Sequence, residues 1–159
     1  MSIPEELAAH PVVRKLQTFN PNAVTAATNF RDQLALTVAP SLIVEVCQFL
    51  RDDRELQFNM LADLTAVDRY PVEPRFEIIY QLLSIPAGRR VRLKAAVPGT
   101  NPRIASVTGL WPGANMLERE VFDLFGVRFE GHPDLRRLLM PDDWEGHPLR
   151  KDYPVEGYR

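Results

Sequence analysis

Prolines at 133, 141, 148 and 154 cut the last part of the chain into pieces six to eight residues long. Proline lacks an N–H and fixes its own φ, so no helix or strand of ordinary length fits between them. The stretch 117–153, LEREVFDLFGVRFEGHPDLRRLLMPDDWEGHPLRKDY, therefore reads as a short helix followed by a long, irregular arm. That arm is highly charged. Positions 117–159 hold ten acids and seven bases, and six of the chain's 14 aromatic residues.

Such an arm poses an energetic problem. Ordering roughly 30 residues costs about 1–2 kcal/mol each. Offsetting that at about 25 cal/mol per Å² takes well over about 1,000 Å² of buried apolar area. Leu135, Leu138, Leu139, Trp144, Leu149 and Tyr153 supply only part of it. Disordered segments are usually poor in aromatics, so the composition predicts an arm completed by a partner's surface.

The remaining sequence excludes several classes of function. A net charge of −2 over 159 residues gives no bulk attraction to nucleic acid or anionic lipid. The single Cys47 rules out an internal disulfide and any multi-cysteine metal or iron–sulfur site in this chain alone. MSIPEEL at the start is acidic and lacks an apolar core, unlike a signal peptide. No apolar run approaches the ~18–20 residues of a membrane span. The expected chain is soluble and lies on the cytoplasmic side; if it meets a membrane, other subunits take it there.

In chain order, residues 5–18 predict a helix interrupted or restarted near Pro11, with His10 at a helix end. Residues 23–30 and 34–38 predict two antiparallel strands with a short loop. Pro40-Ser41 opens a clear helix, with Ser41 as N-cap and Leu42, Ile43, Val46, Cys47 and Leu50 on one face. Cys47 on that stripe reads as a small buried hydrophobe. Residues 58–68 become strand-like, and 75–84 and 90–97 flank a hairpin connection. Arg90, Arg92 and Lys94 alternate with apolar residues, which describes a solvated sheet face with no aromatic to stack on bases. Residues 103–110 suggest a short helix. The predicted fold is α+β: a mostly antiparallel sheet of four or five strands with helices on one side at 1–126, then an extended partner-binding arm at 127–159.

On a helical wheel at 100° per residue, Leu117, Val121, Phe122, Leu124 and Phe125 fill an arc of roughly 160°. Arg119, Glu120 and Asp123 lie opposite, with Arg119 and Asp123 at i, i+4 spacing for a solvent-exposed pair. Glu118 projects from inside the apolar arc, where a carboxylate is either paired with a cation or protonated. Arg128, Arg136, Arg137 and Arg150 are the arm's candidate cations. Gly126 is a natural C-terminal stop. His132 and His147 each precede a proline and form no ligand-spaced pair, and the chain has no phosphate-cradling glycine loop.

EREVFDLFG (118–126), GHPDLRRLLMPDDW (131–144) and GHPLRKDYP (146–154), in this order, closely resemble the hydrophilic C subunit of bacterial respiratory complex I, the thirty-kilodalton subunit family. WPGANMLERE (111–120) and RFEIIYQLLS (75–84) also resemble it, whereas Met116 stands where that family's pattern leads one to expect an aromatic. The resemblance implies a structural subunit of the peripheral arm of proton-translocating NADH:quinone oxidoreductase, with no catalytic residue, flavin or iron–sulfur cluster of its own. FMN and the clusters would lie in partner subunits, and NADH and quinone would be used by the assembly. It further implies docking on the D and B subunits near the quinone site, with I and G as further neighbours. On the matching positions the interface would comprise Glu118, Arg119, Glu120, Asp123, Gly126, His132, Asp134, Arg136, Arg137, Trp144, His147, Arg150, Lys151, Asp152 and Tyr153.

Two other readings compete. One is the corresponding subunit of a related membrane-bound assembly, an energy-converting hydrogenase or the cyanobacterial and plastid enzyme that accepts ferredoxin. The other is a stand-alone hydrolase using Glu118, Glu120 and His132, which would require turnover by the isolated chain.

Overall fold

Pro11 sits at the first position of a helix, where a missing N–H costs nothing, and its φ is already helical. In the computed structural model, which describes residues 2–158, a short helix α1 (Glu5–Ala8) ends just before it and α2 (Pro11–Phe19) starts on it. His10 caps α2: its Nδ1 accepts from the Val12 N–H at 3.3 Å. Strands β1 (Val24–Phe30) and β2 (Gln33–Val38) then pair antiparallel. Their turn is Arg31-Asp32, both with positive φ (51° and 62°), which matches the right-handed twist of the strands.

A 3-10 turn at Pro40–Leu42 leads into α3 (Ile43–Asp52). The expected Ser41 cap is absent. Ser41 is absorbed into the 3-10 turn, Leu42 takes the capping position, and no side chain caps the helix. The predicted apolar stripe is buried at Ile43, Val46, Cys47 and Leu50.

Strands β3 (Met60–Asp68), β4 (Phe76–Ser84) and β5 (Arg89–Val97) complete a five-stranded sheet in the order β1-β2-β5-β4-β3. β4 alternates strictly between buried and half-buried positions, the pattern of a strand with one face on a core. β2 and β5 pair in parallel, with Leu36 opposite Leu93, so the sheet is mixed. The chain divides into two compact units, Met1–Asp63 with Ile79–Ala95, and Leu64–Ile78 with Ala96–Arg159. In the first, α1 and α2 lie against β1, and Leu16, Leu36, Val46, Leu50, Phe58 and Leu93 are buried.

In the second unit the predicted helix at 103–110 is instead a short strand, β6 (Arg103–Ala105), followed by turns. β6 pairs in parallel with β7 (Arg128–Glu130), which follows the helix α4 (Ala114–Phe125). Long-range pairing overrides the weak helical pattern, because β7 supplies ladder partners that a window over 103–110 cannot reveal. Ile104, Val107, Trp111, Val121, Val127 and Phe129 are buried in this unit. Residues 131–158 form turns and bends without helix or strand, and they belong to the same unit as α4. No helix among the described residues is long and apolar enough to cross a membrane.

Candidate functional site

The last turn of any α-helix leaves backbone carbonyls without helical partners. In α4 the C-terminal segment supplies them. Gly126 adopts the left-handed conformation (φ 75°) and its N–H returns to the Phe122 carbonyl at 2.8 Å. His147 Nδ1 donates to the Asp123 carbonyl (2.9 Å), the Leu149 N–H to the Leu124 carbonyl (3.0 Å) and Arg150 Nε to the Phe125 carbonyl (2.6 Å). A Cβ at position 126 would stand 2.5 Å from His147 Cδ2 and 2.6 Å from Arg150 Nη2, so only glycine lets these side chains approach. Burial pushes the His147 imidazole below its ordinary pKa, with Arg150 and Arg137 acting in the same direction.

Asp123, expected in solvent, is fully buried and anchors the segment. Its Oδ2 accepts three consecutive backbone N–H groups, from Leu138 (3.1 Å), Leu139 (2.7 Å) and Met140 (2.9 Å). Its Oδ1 holds Arg137 Nη1 at 2.7 Å. Burial alone would raise this carboxyl's pKa, but the backbone donors and Arg137 outweigh it and hold the group below the usual range. Arg137 reaches on to the carbonyls of Trp144 and Gly146, each at 2.8 Å. Arg119 does not pair with Asp123. It donates to the carbonyls of Arg136 (3.1 Å) and Arg137 (2.9 Å). The helical wheel misplaced both residues because the side of α4 opposite the apolar arc is covered by the chain's own C-terminal segment, not by water.

Glu118 is fully buried, as its place in the apolar arc required, but its partners are not the arm's arginines. Its Oε1 accepts the Val107 N–H at 2.7 Å and its Oε2 the Ser106 hydroxyl at 2.6 Å. Ser106 Oγ is in turn 2.8 Å from Thr108 Oγ1. Burial raises the pKa of this carboxyl, and the two donors only partly offset it. The turn after β6 comes close enough to offer its own N–H and hydroxyl, so no cation is needed.

A second anchor was not foreseen from the sequence. Arg75 is buried and grips Asp68 through Nε (2.9 Å) and Nη2 (2.8 Å) and Asp152 through Nη1 (3.0 Å) and Nη2 (2.7 Å). Asp68 also accepts the Lys151 N–H at 2.8 Å. The hydrogen bonds and charge of Arg75 hold the Asp68 carboxyl far below the usual carboxylate range. The Arg75 guanidinium lies 4.8 Å from the ring centres of both Tyr70 and Phe76, and Arg150 lies 5.1 Å from that of Phe76. The signal in the sequence was DRYPVEPR: two opposite charges flanking a proline-rich turn and meeting across the ends of two strands.

The other predicted positions are disposed as follows. Glu120 is exposed, and Asp134 pairs with exposed Arg136 at 2.8 Å. His132 is engaged at both nitrogens, donating from Nε2 to the Asn115 carbonyl (3.1 Å) and accepting the Asp134 N–H at Nδ1 (3.0 Å). Lys151 is exposed, while Tyr153 is half-buried and meets Tyr158 edge-on at 5.4 Å. Leu139, Trp144 and Leu149 are 62%, 41% and 52% exposed on a segment whose backbone is held from inside. Met116 is half-exposed, with Arg119 Nη1 at 3.5 Å from its sulfur. Among the described residues no three His, Cys, Asp or Glu side chains gather in a way that could hold a metal ion. With Glu118 closed from solvent, it cannot join Glu120 and His132 in a hydrolytic centre.

A family model described as "Respiratory-chain NADH dehydrogenase, 30 Kd subunit" matches residues 36–159. The C subunit of NADH-quinone oxidoreductase from Roseiflexus sp. (strain RS-1) is 52% identical over 144 residues, covering 91% of this chain and 83% of that one. Its counterpart in Geobacter sulfurreducens is 54% identical over 129 residues, covering 80% and 78%. Among solved structures, the trypsin-resistant fragment of Nqo5 superposes with a TM-score of 0.64 at 34% identity, covering 77% of this chain and 97% of that one. A chain of the membrane-bound sulfane sulfur reductase, an archaeal respiratory membrane complex, superposes with a TM-score of 0.76 at 28% identity, covering 91% and 84%. With a match over most of its length, and relatives about half identical that it nearly spans, the chain belongs to the 30-kDa subunit family of the respiratory-chain NADH dehydrogenase.

Proposed function

We propose that this chain is a structural subunit, without a cofactor of its own, of the peripheral arm of a proton-translocating NADH:quinone oxidoreductase. It docks through residues 127–158 on the D and B subunits near the quinone site, on the cytoplasmic side of the membrane. The redox chemistry, with its FMN and iron–sulfur clusters, belongs to those partners. The observation that carries this reading is the outward Leu139, Trp144 and Leu149 on a segment that the buried Asp123 and Arg75 hold in one conformation. Exposed apolar side chains on an ordered segment are the kind that protein interfaces bury. A segment ordered beforehand also loses less entropy on docking.

A second reading, the equivalent subunit of a related membrane-bound complex, draws support from the likeness to a chain of the sulfane sulfur reductase. Both readings are tested by tagging the chain in its native host, solubilising the membranes and identifying what co-purifies. NADH-oxidising subunits together with D and B are the expected result. A hydrogenase, ferredoxin-accepting or sulfur-reducing partner set would favour the second reading. Retrieval of no other subunit would sink both.

A further inference from the structure

The end of the chain forms an aromatic cleft of about 510 Å³, and of the outward Leu139, Trp144 and Leu149 only Trp144 lines it. Trp144, Tyr153 and Tyr158 line it, with Asp143, Glu145 and Glu156 around them. The cleft is built, not incidental. Arg137 fixes the backbone on both sides of Glu145 through the carbonyls of Trp144 and Gly146. Gly146 lets both tyrosine rings approach closely, since a Cβ there would stand 2.8 Å from Tyr158 and 2.9 Å from Tyr153. Tyr158 remains 59% exposed. Among the described residues, none of the three acids forms an ion pair, although the buried Asp68 and Asp123 of this unit each do.

Aromatic faces attract cations, and carboxylates at the rim add a field of the same preference. We propose that this cleft receives an arginine side chain from another subunit of the same assembly. The inference rests on the reading under Proposed function and adds the chemistry of the contact. Arginine suits the site better than lysine. Its flat guanidinium stacks on an indole or phenol ring while its N–H groups reach carboxylates at the edge. A neutral or acidic partner segment would leave three carboxylates facing apolar or like-charged surface.

The test uses the full chain in its native membrane. Tyr158 is replaced by the photo-crosslinking residue p-benzoylphenylalanine, the complex is irradiated, and the attached peptide is sequenced. An arginine within about one helical turn of the attachment point is expected. In parallel, the double variant Glu145→Gln, Glu156→Gln should bind the remaining assembly about tenfold more weakly at low ionic strength, the deficit closing as salt rises. Trp144→Leu should weaken binding about tenfold at every salt concentration, with Trp144→Phe recovering most of it. A complex that assembles but gives no crosslink, or a crosslinked peptide without a basic residue, overturns the cleft proposal and leaves the subunit assignment standing. So does a glutamine double variant whose deficit is independent of salt. If the tagged chain retrieves no other subunit, both fall.

Discussion

Glu118 and Asp123 lie five positions apart on one helix, and both are fully buried, yet the chain treats them oppositely. Asp123 meets three N–H groups and a guanidinium, and its pKa is lowered. Glu118 meets one N–H and one hydroxyl, and its pKa is raised. The number and charge of the donors decide the sign against the same burial cost. Asp123→Asn keeps the size but leaves Arg137 uncompensated and offers the three N–H groups a neutral acceptor. It should destabilise the chain by about 3–5 kcal/mol, measured by urea unfolding, and should expose Arg137 and Arg150 to trypsin. An unchanged midpoint would show that Asp123 is not the anchor. For Glu118 the sign runs the other way. A carboxyl whose folded pKa is raised contributes stability below its ordinary value of 4.5, and that stability is lost as pH rises through the folded value. Glu118→Gln should therefore gain on the natural chain as pH increases from about 4.5 toward neutrality, with the difference read from unfolding midpoints across that range. Asp123, Asp68 and Asp152 have lowered values, so their contributions are present above 3.8 and fade only in stronger acid.

At the scale of elements, α4 with its Gly126 stop and apolar arc was readable because a helix's own residues carry its period and its ends. The partners of α4 were not. A wheel divides a helix into apolar and polar sides, and it cannot say that the polar side of α4 will be roofed by residues 136–150. Likewise, the apolar accounting for the arm left out its polar anchors, Asp123 and the Asp68–Arg75–Asp152 cluster, which satisfy the segment's own N–H groups. The expectation of an arm ordered only by a partner is revised accordingly. In the free chain, amide hydrogen exchange should be slow at Leu138, Leu139, Met140, Leu149 and Lys151, whose N–H groups are held by Asp123, Leu124 and Asp68. It should be fast at the exposed Asp142, Val155 and Glu156, which lie between these anchors or beyond them. Uniformly fast exchange from 131 onward would restore the expectation of an arm that only a partner orders. Gly126→Ala should cost at least about 1 kcal/mol for its left-handed backbone alone. It should also speed exchange at Leu149, because the added methyl collides with His147 and Arg150.

For the whole molecule, the family could be read from three short runs of sequence, but the division of labour within them could not. Of the residues expected at a partner interface, Glu118, Asp123, Gly126, Arg137, His147 and Arg150 make contacts inside the chain, while Asp152 pairs with Arg75 from an exposed position. If a partner docks on this segment as proposed, it meets the outward side chains, and substituting those separates folding from assembly. Leu139 and Leu149 are more than half exposed, so Leu139→Glu and Leu149→Glu should change the stability of the isolated chain by no more than about 0.5 kcal/mol. In the assembled complex the same carboxylates would be buried without a partner, at about 1–3 kcal/mol or more each. The double variant should therefore fold, give an unaltered circular dichroism spectrum, and yet retrieve few or none of the other subunits from solubilised membranes. NADH-driven quinone reduction in those membranes should fall in proportion. Full retrieval with the double variant would mean that these leucines face solvent in the assembly and that docking uses another surface of the chain. Loss of folding together with retrieval would instead show that the segment's outer face contributes to its own stability, contrary to its exposure.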